Sequence, residues 1–389
     1  MKMNKYTVLA LIVLVVAMCP KYVEAGKYSL GSTGFELSGD QTITFRELDK
    51  HSSLNRNFRG DDPFSNYRTR LFIARKWNEN IKMNIEVLFD NNNKTRINGS
   101  YLTFSNLVTS NFSAKVGLIP SPFGNFSHRS TYFNQNPVIG VPAMWHYISP
   151  LSKGGGSTNE SFYPRKTKNA GVPSAYDACW PTGVSLHGDF DLFEGNIALT
   201  HNTISNPKAY LNDGYEGIIT LGIKPSAGPR TGLSFAYGPW IGSDHEPAVA
   251  ISNKESYMQN AIGIYLEYSV GHWLFFSEVM DIEWETPHIY EGKVSLQTGY
   301  GEFRWNLIPG WYLGGRFDFM QYDDISTTND GTGIKKKWGY DFNRIELAVG
   351  YRIIREGFIR LNYQSTLFKS REKGAEDEEI LALQFFFSF

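Results

Sequence analysis

Polar and apolar residues alternate with a period of two over much of the chain. From Phe35 to Arg46 the odd positions include Phe35, Leu37, Gly39, Ile43 and Phe45, and the even positions read Glu36, Ser38, Asp40, Thr42, Thr44 and Arg46. Successive side chains on a strand point to opposite faces, so this segment makes a strand with one oily and one wet face. Ile81, Met83, Ile85, Val87 and Phe89 alternate with Lys82, Asn84, Glu86 and Asp90 in the same way, and the pattern returns in 112–118, 184–192, 262–270, 345–353 and 359–367. In all, sixteen strands are expected, near 34–47, 66–77, 80–90, 98–108, 111–119, 183–193, 195–204, 216–225, 230–240, 258–270, 272–283, 293–306, 310–322, 338–353, 357–368 and 378–389. The eleventh and twelfth fit the pattern least well. Glu278 and Glu302-Phe303-Arg304 suit neither face and suggest bulges.

Alternation alone does not say whether the apolar face looks into a protein core or out at lipid. Three features point to lipid. Strands of roughly 11 residues at ~3.3 Å each, tilted about 40°, rise close to the ~25 Å apolar band of a transmembrane barrel. The connections alternate strictly between short and long, with turns such as Asn78-Glu79, Glu194, Ser226-Ala227-Gly228-Pro229, Gly271 and Arg355-Glu356 on the short side. Short turns at one end and long loops at the other are the habit of bacterial outer-membrane barrels. At the carboxyl terminus, Leu381, Leu383, Phe385, Phe387 and Phe389 share one face and end the chain on an aromatic residue. The expected fold is therefore all-β, a transmembrane antiparallel barrel of about sixteen strands filling residues 26–389.

The amino terminus fits that destination. Lys2 and Lys5 precede eleven apolar residues from Val8 to Met18 and a small-residue site at Val23-Glu24-Ala25. This is the layout of a secretory signal peptide over residues 1–25, too short for the roughly 20 residues of a membrane helix. Export to the outer membrane of a two-membraned bacterium is expected, with membrane lipid as a partner. Removing residues 1–25 takes three lysines and one glutamate from totals of 38 Lys+Arg and 39 Asp+Glu, leaving a net charge of −3. That balance gives no reason to expect a nucleic acid partner. Cys179 is then the sole cysteine, which excludes an internal disulfide or a cysteine-based metal cluster. No cofactor is expected. Aromatics at 15% and 37 glycines match a curved barrel with aromatic belts.

Sixteen strands enclose a lumen too wide for wall side chains to fill. The connection after the fifth strand, residues 120–182, far exceeds ordinary loop lengths and is rich in apolar residues, among them Phe123, Phe126, Val138, Ile139, Met144, Trp145 and Ile148. It is expected to fold inward as a constriction. It carries Arg129, Lys153, Arg165, Lys166 and Lys168 against Glu160 and Asp177, net +3, and a positive ring in a confined, weakly screened passage favours anions. Equally open is that these charges form internal salt bridges holding loop to wall. On the wall, alternation turns Arg68, Arg70, Lys115, Arg316, Arg344, Asp318 and Glu346 toward the lumen, together with Lys82, Lys224, Arg352, Arg360, Glu36, Asp40, Glu86, Asp90, Asp189, Asp191 and Glu267, so neither sign dominates. Passive passage of small hydrophilic solutes or anions is the expected function.

The stretch Lys115-Val116-Gly117-Leu118-Ile119-Pro120-Ser121-Pro122-Phe123-Gly124 resembles the phosphate-selective porin O/P group of outer-membrane porins, and Trp311-Tyr312-Leu313-Gly314-Gly315-Arg316-Phe317-Asp318 is similar to a late strand of that group. The resemblance implies sixteen strands, a homotrimer, and a third external loop folded into each pore. Phosphate selectivity does not carry over, because the wall charges here are mixed.

Two other function classes compete. An outer-membrane hydrolase can be drawn from Ser185, His187 and Asp189, although two-residue spacing on a strand separates side chains by about 7 Å, too far for direct proton transfer. A surface adhesin or receptor would need residues 120–182 to project outward, with Gly154-Gly155-Gly156 as a flexible tip. An electron conduit around a multihaem protein is disfavoured, since the chain has no haem-attachment motif.

Overall fold

The structure is a computed structural model that describes residues 28–29, 34–48, 62–90, 95–130, 136–145, 147–163, 171–176, 180–201, 203–207, 214–242, 251, 253–369 and 377–389. The expected signal peptide, Cys179, Arg165, Lys166 and Lys168 lie outside the described residues. Sixteen antiparallel strands form the wall: β1 Phe35–Leu48, β2 Tyr67–Lys76, β3 Ile81–Asp90, β4 Thr95–Ser105, β5 Phe112–Leu118, β6 Thr182–Asp189, β7 Phe193–His201, β8 Tyr215–Ile223, β9 Arg230–Pro239, β10 Met258–Val270, β11 Trp273–Glu285, β12 Lys293–Ile308, β13 Trp311–Tyr322, β14 Phe342–Ile354, β15 Gly357–Phe368 and β16 Glu378–Ser388. Each pairs with the next in sequence, and β16 pairs back with β1 from Asp40↔Ser388 to Leu48↔Ile380, so the sheet closes. Beyond that register, Gly39 and Phe389 exchange two backbone hydrogen bonds of 2.9 Å, and the terminal residue belongs to the seam. Closure removes the unpaired edges that an open sheet would present.

The wall is inside out relative to a soluble protein. On β8, Leu221 is 61% exposed while Glu216 on the opposite face is 1% exposed, and the intervening residues follow the same rhythm. Ile197 and Leu199 on β7, Leu233 on β9, Ile262 and Ile264 on β10, and Leu347 on β14 share the outward face with Leu221. Continuous exposed apolar surface of this extent has a natural solvent in hydrocarbon. On β11 and β12 the outward face changes character along its length. Near the short turn, Trp273 stacks on Trp305 with ring centroids at 4.8 Å; near the long loops, Gln297 donates to Asp281 at 2.9 Å and Lys293 pairs with Glu283 at 2.7 Å. An aromatic girdle at one level and charge at another bracket an apolar band.

Several boundaries differ from the sequence reading, among them the fourth strand, which runs Thr95–Ser105 rather than 98–108. The hairpin expected at Glu194 sits at 190–192, because the Phe190 amide donates to the Phe193 carbonyl at 2.8 Å and Glu194 enters β7. Asp191, expected on the wet wall, therefore lies in that turn. The fourteenth strand begins at Phe342 rather than 338, since Trp338 and Tyr340 pack into the loop end of the lumen. The β11–β12 ladder runs unbroken from Trp273↔Trp305 to Glu285↔Lys293, and the register shift near it falls between Asn306 and Ile308, where β12 meets β13. A second shift, between Glu86 and Val87, makes a bulge at Asn98 and turns both Asn98 and Gly99 to the lumen.

Candidate functional site: the lumen and its infolded segment

The described part of residues 119–181 lies inside the wall. Phe123, Phe126, Met144, Trp145, Leu151 and Val172 are fully buried, and they pack with Met280, Ile282, Trp284, Leu296 and Met320 from the inner faces of β11 to β13. The segment begins at a wall strand and turns inward at Pro120, and its described residues include a short α-helix, α1 Phe126–Ser130, and a 3-10 turn, Glu160–Phe162.

Backbone groups of the segment are held by wall side chains, which is how a non-regular chain can be buried without orphaned polar groups. Pro122 O accepts from Thr220 Oγ1 at 2.8 Å, the Gly124 amide donates to Ser234 Oγ at 3.0 Å, and the Asn125 amide donates to Glu278 at 3.2 Å. Gly124 has φ +65°, and a Cβ there would overlap the Glu278 carboxylate, so only glycine fits both the turn and the approach. Further along, the Ile139 amide donates to Asn362 at 3.0 Å, the Gly140 amide to Glu346 at 2.7 Å and the Ala143 amide to Asp318 at 2.9 Å. Arg360 donates to the carbonyls of Asn136 and Val138 at 2.7 and 2.8 Å. The two stretches that carry the family resemblance thus serve one purpose: Pro122 to Gly124 dock on β8 to β11, while Gly314, whose Cβ would overlap the Pro137 carbonyl, lets the segment pass close over β13.

An ion network centres on the docking. Arg129, from α1, pairs with Glu302, donates to the Tyr300 hydroxyl at 2.9 Å and lies 3.9 Å over the Phe276 ring. Burial disfavours its charge, but the Glu302 carboxylate and Tyr300 hydroxyl outweigh that and hold the guanidinium above its ordinary pKa. Arg316 reaches the other oxygen of Glu302 at 2.6 Å, Glu346 at 3.5 Å and the Gly140 carbonyl at 2.6 Å. Glu346 also accepts from Asn362 at 2.8 Å and Gln364 at 3.0 Å.

Of the residues expected to form the pore, the structure therefore brings Arg129, Arg316, Asp318 and Glu346 together as the anchors of the segment, all buried. Arg344 is also buried, donating to Thr366 at 3.1 Å with its guanidinium 5.8 Å over the Tyr147 ring. Arg68 and Arg70 lie apart from the anchors on β2, where Arg70 takes both oxygens of Asp40 and stands 3.8 Å from Glu86. Lys115 is half-buried on β5, 5.8 Å over Tyr101. Lys153 is half-buried at the loop end, where its carbonyl accepts from the Gly242 amide at 3.0 Å. Glu278, Glu302, Tyr300, Asn125 and Asn362 are anchors that alternation did not single out, and the misfit of Glu278 and Glu302 was the only trace of their role. Among the described residues no hydrogen bond joins Ser185 to His187 or Asp189, and the Asp189 carboxylate is paired with Lys224.

A second set of contacts ties the segment to the long loops. Asn159 donates to Glu291 at 2.8 Å and to the Ser326 carbonyl at 3.0 Å, and the Ser326 amide donates to Glu291 at 2.6 Å. Burial pushes the Glu291 carboxyl upward, yet those two donors and nearby Lys335 prevail and hold it below its ordinary value.

No protein-family model and no curated protein matches the sequence. Solved structures do match in shape. The anion-selective porin from Comamonas acidovorans superposes with a TM-score of 0.56 at 9% identity, over 91% of this chain and 99% of that one. OmpT, an outer membrane protein of Vibrio cholerae, in its trimer form gives 0.54 at 9% identity over 91% and 99%. Salmonella typhi OmpF in complex with daunomycin gives 0.53 at 9% identity over 92% and 98%. The chain, a closed sixteen-stranded barrel, shares its fold with these proteins. At such identities the likeness speaks for architecture, while the lumen chemistry is this chain's own.

Proposed function

We propose that the protein is an outer-membrane channel through which small hydrophilic solutes or anions diffuse passively, with its short turns in the periplasm and its long loops outside. The observation that carries this reading is the inverted wall, in which Leu221 at 61% exposure and Glu216 at 1% occupy opposite faces of one strand. Such a strand needs lipid on one side and a polar interior on the other. The similarity in shape to an anion-selective porin and to OmpF supports it. Membership of the phosphate-selective porin O/P group, a homotrimeric assembly and an export signal over residues 1–25 belong to the same proposal; the docking role of both resembling stretches is what favours the first.

Within the proposed channel, Arg129, Arg316, Arg344, Asp318 and Glu346 are structural, since each is committed to the segment or its surroundings. Lys153, Arg165, Lys166 and Lys168 on the segment, and Arg68 and Lys115 on the opposite wall, supply the anion bias, while Arg70 is committed to Asp40. Purified protein in a planar bilayer is expected to give stepwise conductance and a reversal potential of anion-selective sign under a salt gradient. Replacing Arg165, Lys166 and Lys168 together by glutamine is expected to move that potential toward zero. An unchanged potential would remove the selectivity proposal, and absence of conductance from folded protein would remove the channel.

A further inference from the structure

At the short-turn end of the lumen, between β1 to β4, β16 and the returning end of the infolded segment, lies a partly enclosed cavity of about 370 Å³. Its making depends on the bulge at Asn98. Gly99, turned inward there, carries no side chain, and a Cβ would overlap the Trp180 ring, so the bulge seats Trp180 against β4. The rings of Trp180 and Tyr101 meet at 6.1 Å and 54°, forming an angled apolar side. Phe386, stacked on Phe358 at 4.7 Å, contributes another.

The polar lining carries charges of both signs, with Glu36, Asp40 and Glu86 against Lys82. Asn98 and Glu86 face one another, and Glu86 Oε1 accepts from the Asn98 amide at 3.3 Å. Glu86 is 5% exposed, lines the cavity, and its Oε2 has no hydrogen-bond donor. A buried carboxylate oxygen without a donor is unfavourable, and native structures rarely leave one so without a use. Of the cations near it, Arg68 and Arg70, the second is directed to both oxygens of Asp40. Ser38, Asn84 and Ser388 are its uncharged polar groups.

We propose that this cavity is a subsite for a small neutral polyhydroxylated solute, a mono- or disaccharide, retained between Trp180, Tyr101 and Glu86 on its way through the lumen. The proposal rests on reading the lumen as a solute path and names a class of solute held in it. Anions are disfavoured because aromatic faces carry negative partial charge and three carboxylates, Glu36, Asp40 and Glu86, line the space against one lysine, Lys82. A cation would have to approach Glu86 beside Arg70, 3.8 Å away. A sugar presents a flat apolar face to the rings and hydroxyl donors at its edge to the carboxylates of Glu36 and Glu86. The volume lies at the low end of the roughly 300–1,000 Å³ of ligand pockets lined by aromatics with a few placed polar groups.

The test is isothermal titration of maltose into folded protein in a detergent without a sugar headgroup, paired with maltose block of single-channel current in a planar bilayer. Maltose is expected to bind and inorganic phosphate not to compete. Trp180→Ala and Glu86→Gln are each expected to weaken maltose at least tenfold, with heat-dependent gel mobility confirming that each variant folds. Conductance without maltose binding would overturn the subsite and leave the channel reading intact. Maltose binding without conductance would sustain the subsite and overturn the channel reading. Equal maltose affinity in the wild type and both variants would overturn the assignment to this cavity.

Discussion

Replacing Glu302 by glutamine removes the one carboxylate shared by Arg129 and Arg316, both buried in the docked segment. Arg316 would keep Glu346, at 3.5 Å, and Asp318 as nearby carboxylates, and Arg129 would keep Glu278, but neither would retain a direct carboxylate partner as close as Glu302. Breaking a buried ion pair by deleting one partner costs about 3–5 kcal/mol, because the remaining charge stays buried without compensation. Glutamine still accepts one hydrogen bond, which places the effect near the lower end, about 3 kcal/mol. The cost falls on docking of the segment, since the sixteen-strand ladder does not depend on Glu302's side chain. At about 1.4 kcal/mol per tenfold, the undocked population rises on the order of 100-fold. Limited proteolysis reads this directly, because cleavage of a transiently open segment follows its population when reclosing is fast. Cleavage between residues 119 and 181 is expected to accelerate by about two orders of magnitude in E302Q, while heat-dependent mobility of the barrel changes little. The comparison is Glu379→Gln, which neutralises an exposed acceptor of the Tyr363 hydroxyl at 2.8 Å and is expected to change the rate by less than about fivefold. E302Q cleaved no faster than E379Q would refute the assignment of Glu302 as an anchor.

Two further expectations follow from the same geometry. Gly124→Ala forces a side chain into φ +65° and into the Glu278 carboxylate, so the segment should undock at a cost of at least about 1–2 kcal/mol; an unchanged proteolysis rate in the assay above would contradict this. The Glu291 carboxyl is held below its ordinary value of 4.5, so its bonds to Asn159 and Ser326 are at full strength above that pH and are lost only as pH falls through the depressed value. Hydrogen exchange at the Ser326 amide should therefore stay protected at pH 5 and lose protection well below pH 4.5, relative to Glu291→Gln, which should show no such step.

Much of the wall was legible because its outer face is apolar on most strands. Strands such as β8, with Ile219, Leu221 and Ile223 against Glu216 and Thr220, announce themselves by contrast. That contrast fades on β11, where Met280, Ile282 and Trp284 face inward to meet the apolar side of the infolded segment, while Asp281 and Glu283 face outward above the apolar band. The alternation is intact there, but its polarity is reversed, and Glu278 and Glu302 look misplaced. The turn at 190–192 was hidden for a related reason: Phe190, Leu192 and Phe193 are exposed apolar residues near a membrane boundary and read as strand. Alternation also assigns a face but never a partner. It turned Arg316 and Glu346 to the lumen correctly, yet that they hold the Gly140 backbone depends on a segment far away in sequence. The Asn98 bulge, which sets Trp180 in place, has no marker beyond Asn98-Gly99 itself.

The central claim is that the apolar face of each strand meets hydrocarbon and the polar face encloses the lumen. It is tested most directly by single cysteines along Tyr215–Ile223, labelled with a fluorophore in a Cys179→Ala background and reconstituted with brominated lipid. Labels at 219, 221 and 223 should be quenched and labels at 218 and 220 should not. Quenching without alternation, or alternation in the opposite phase, would contradict the account.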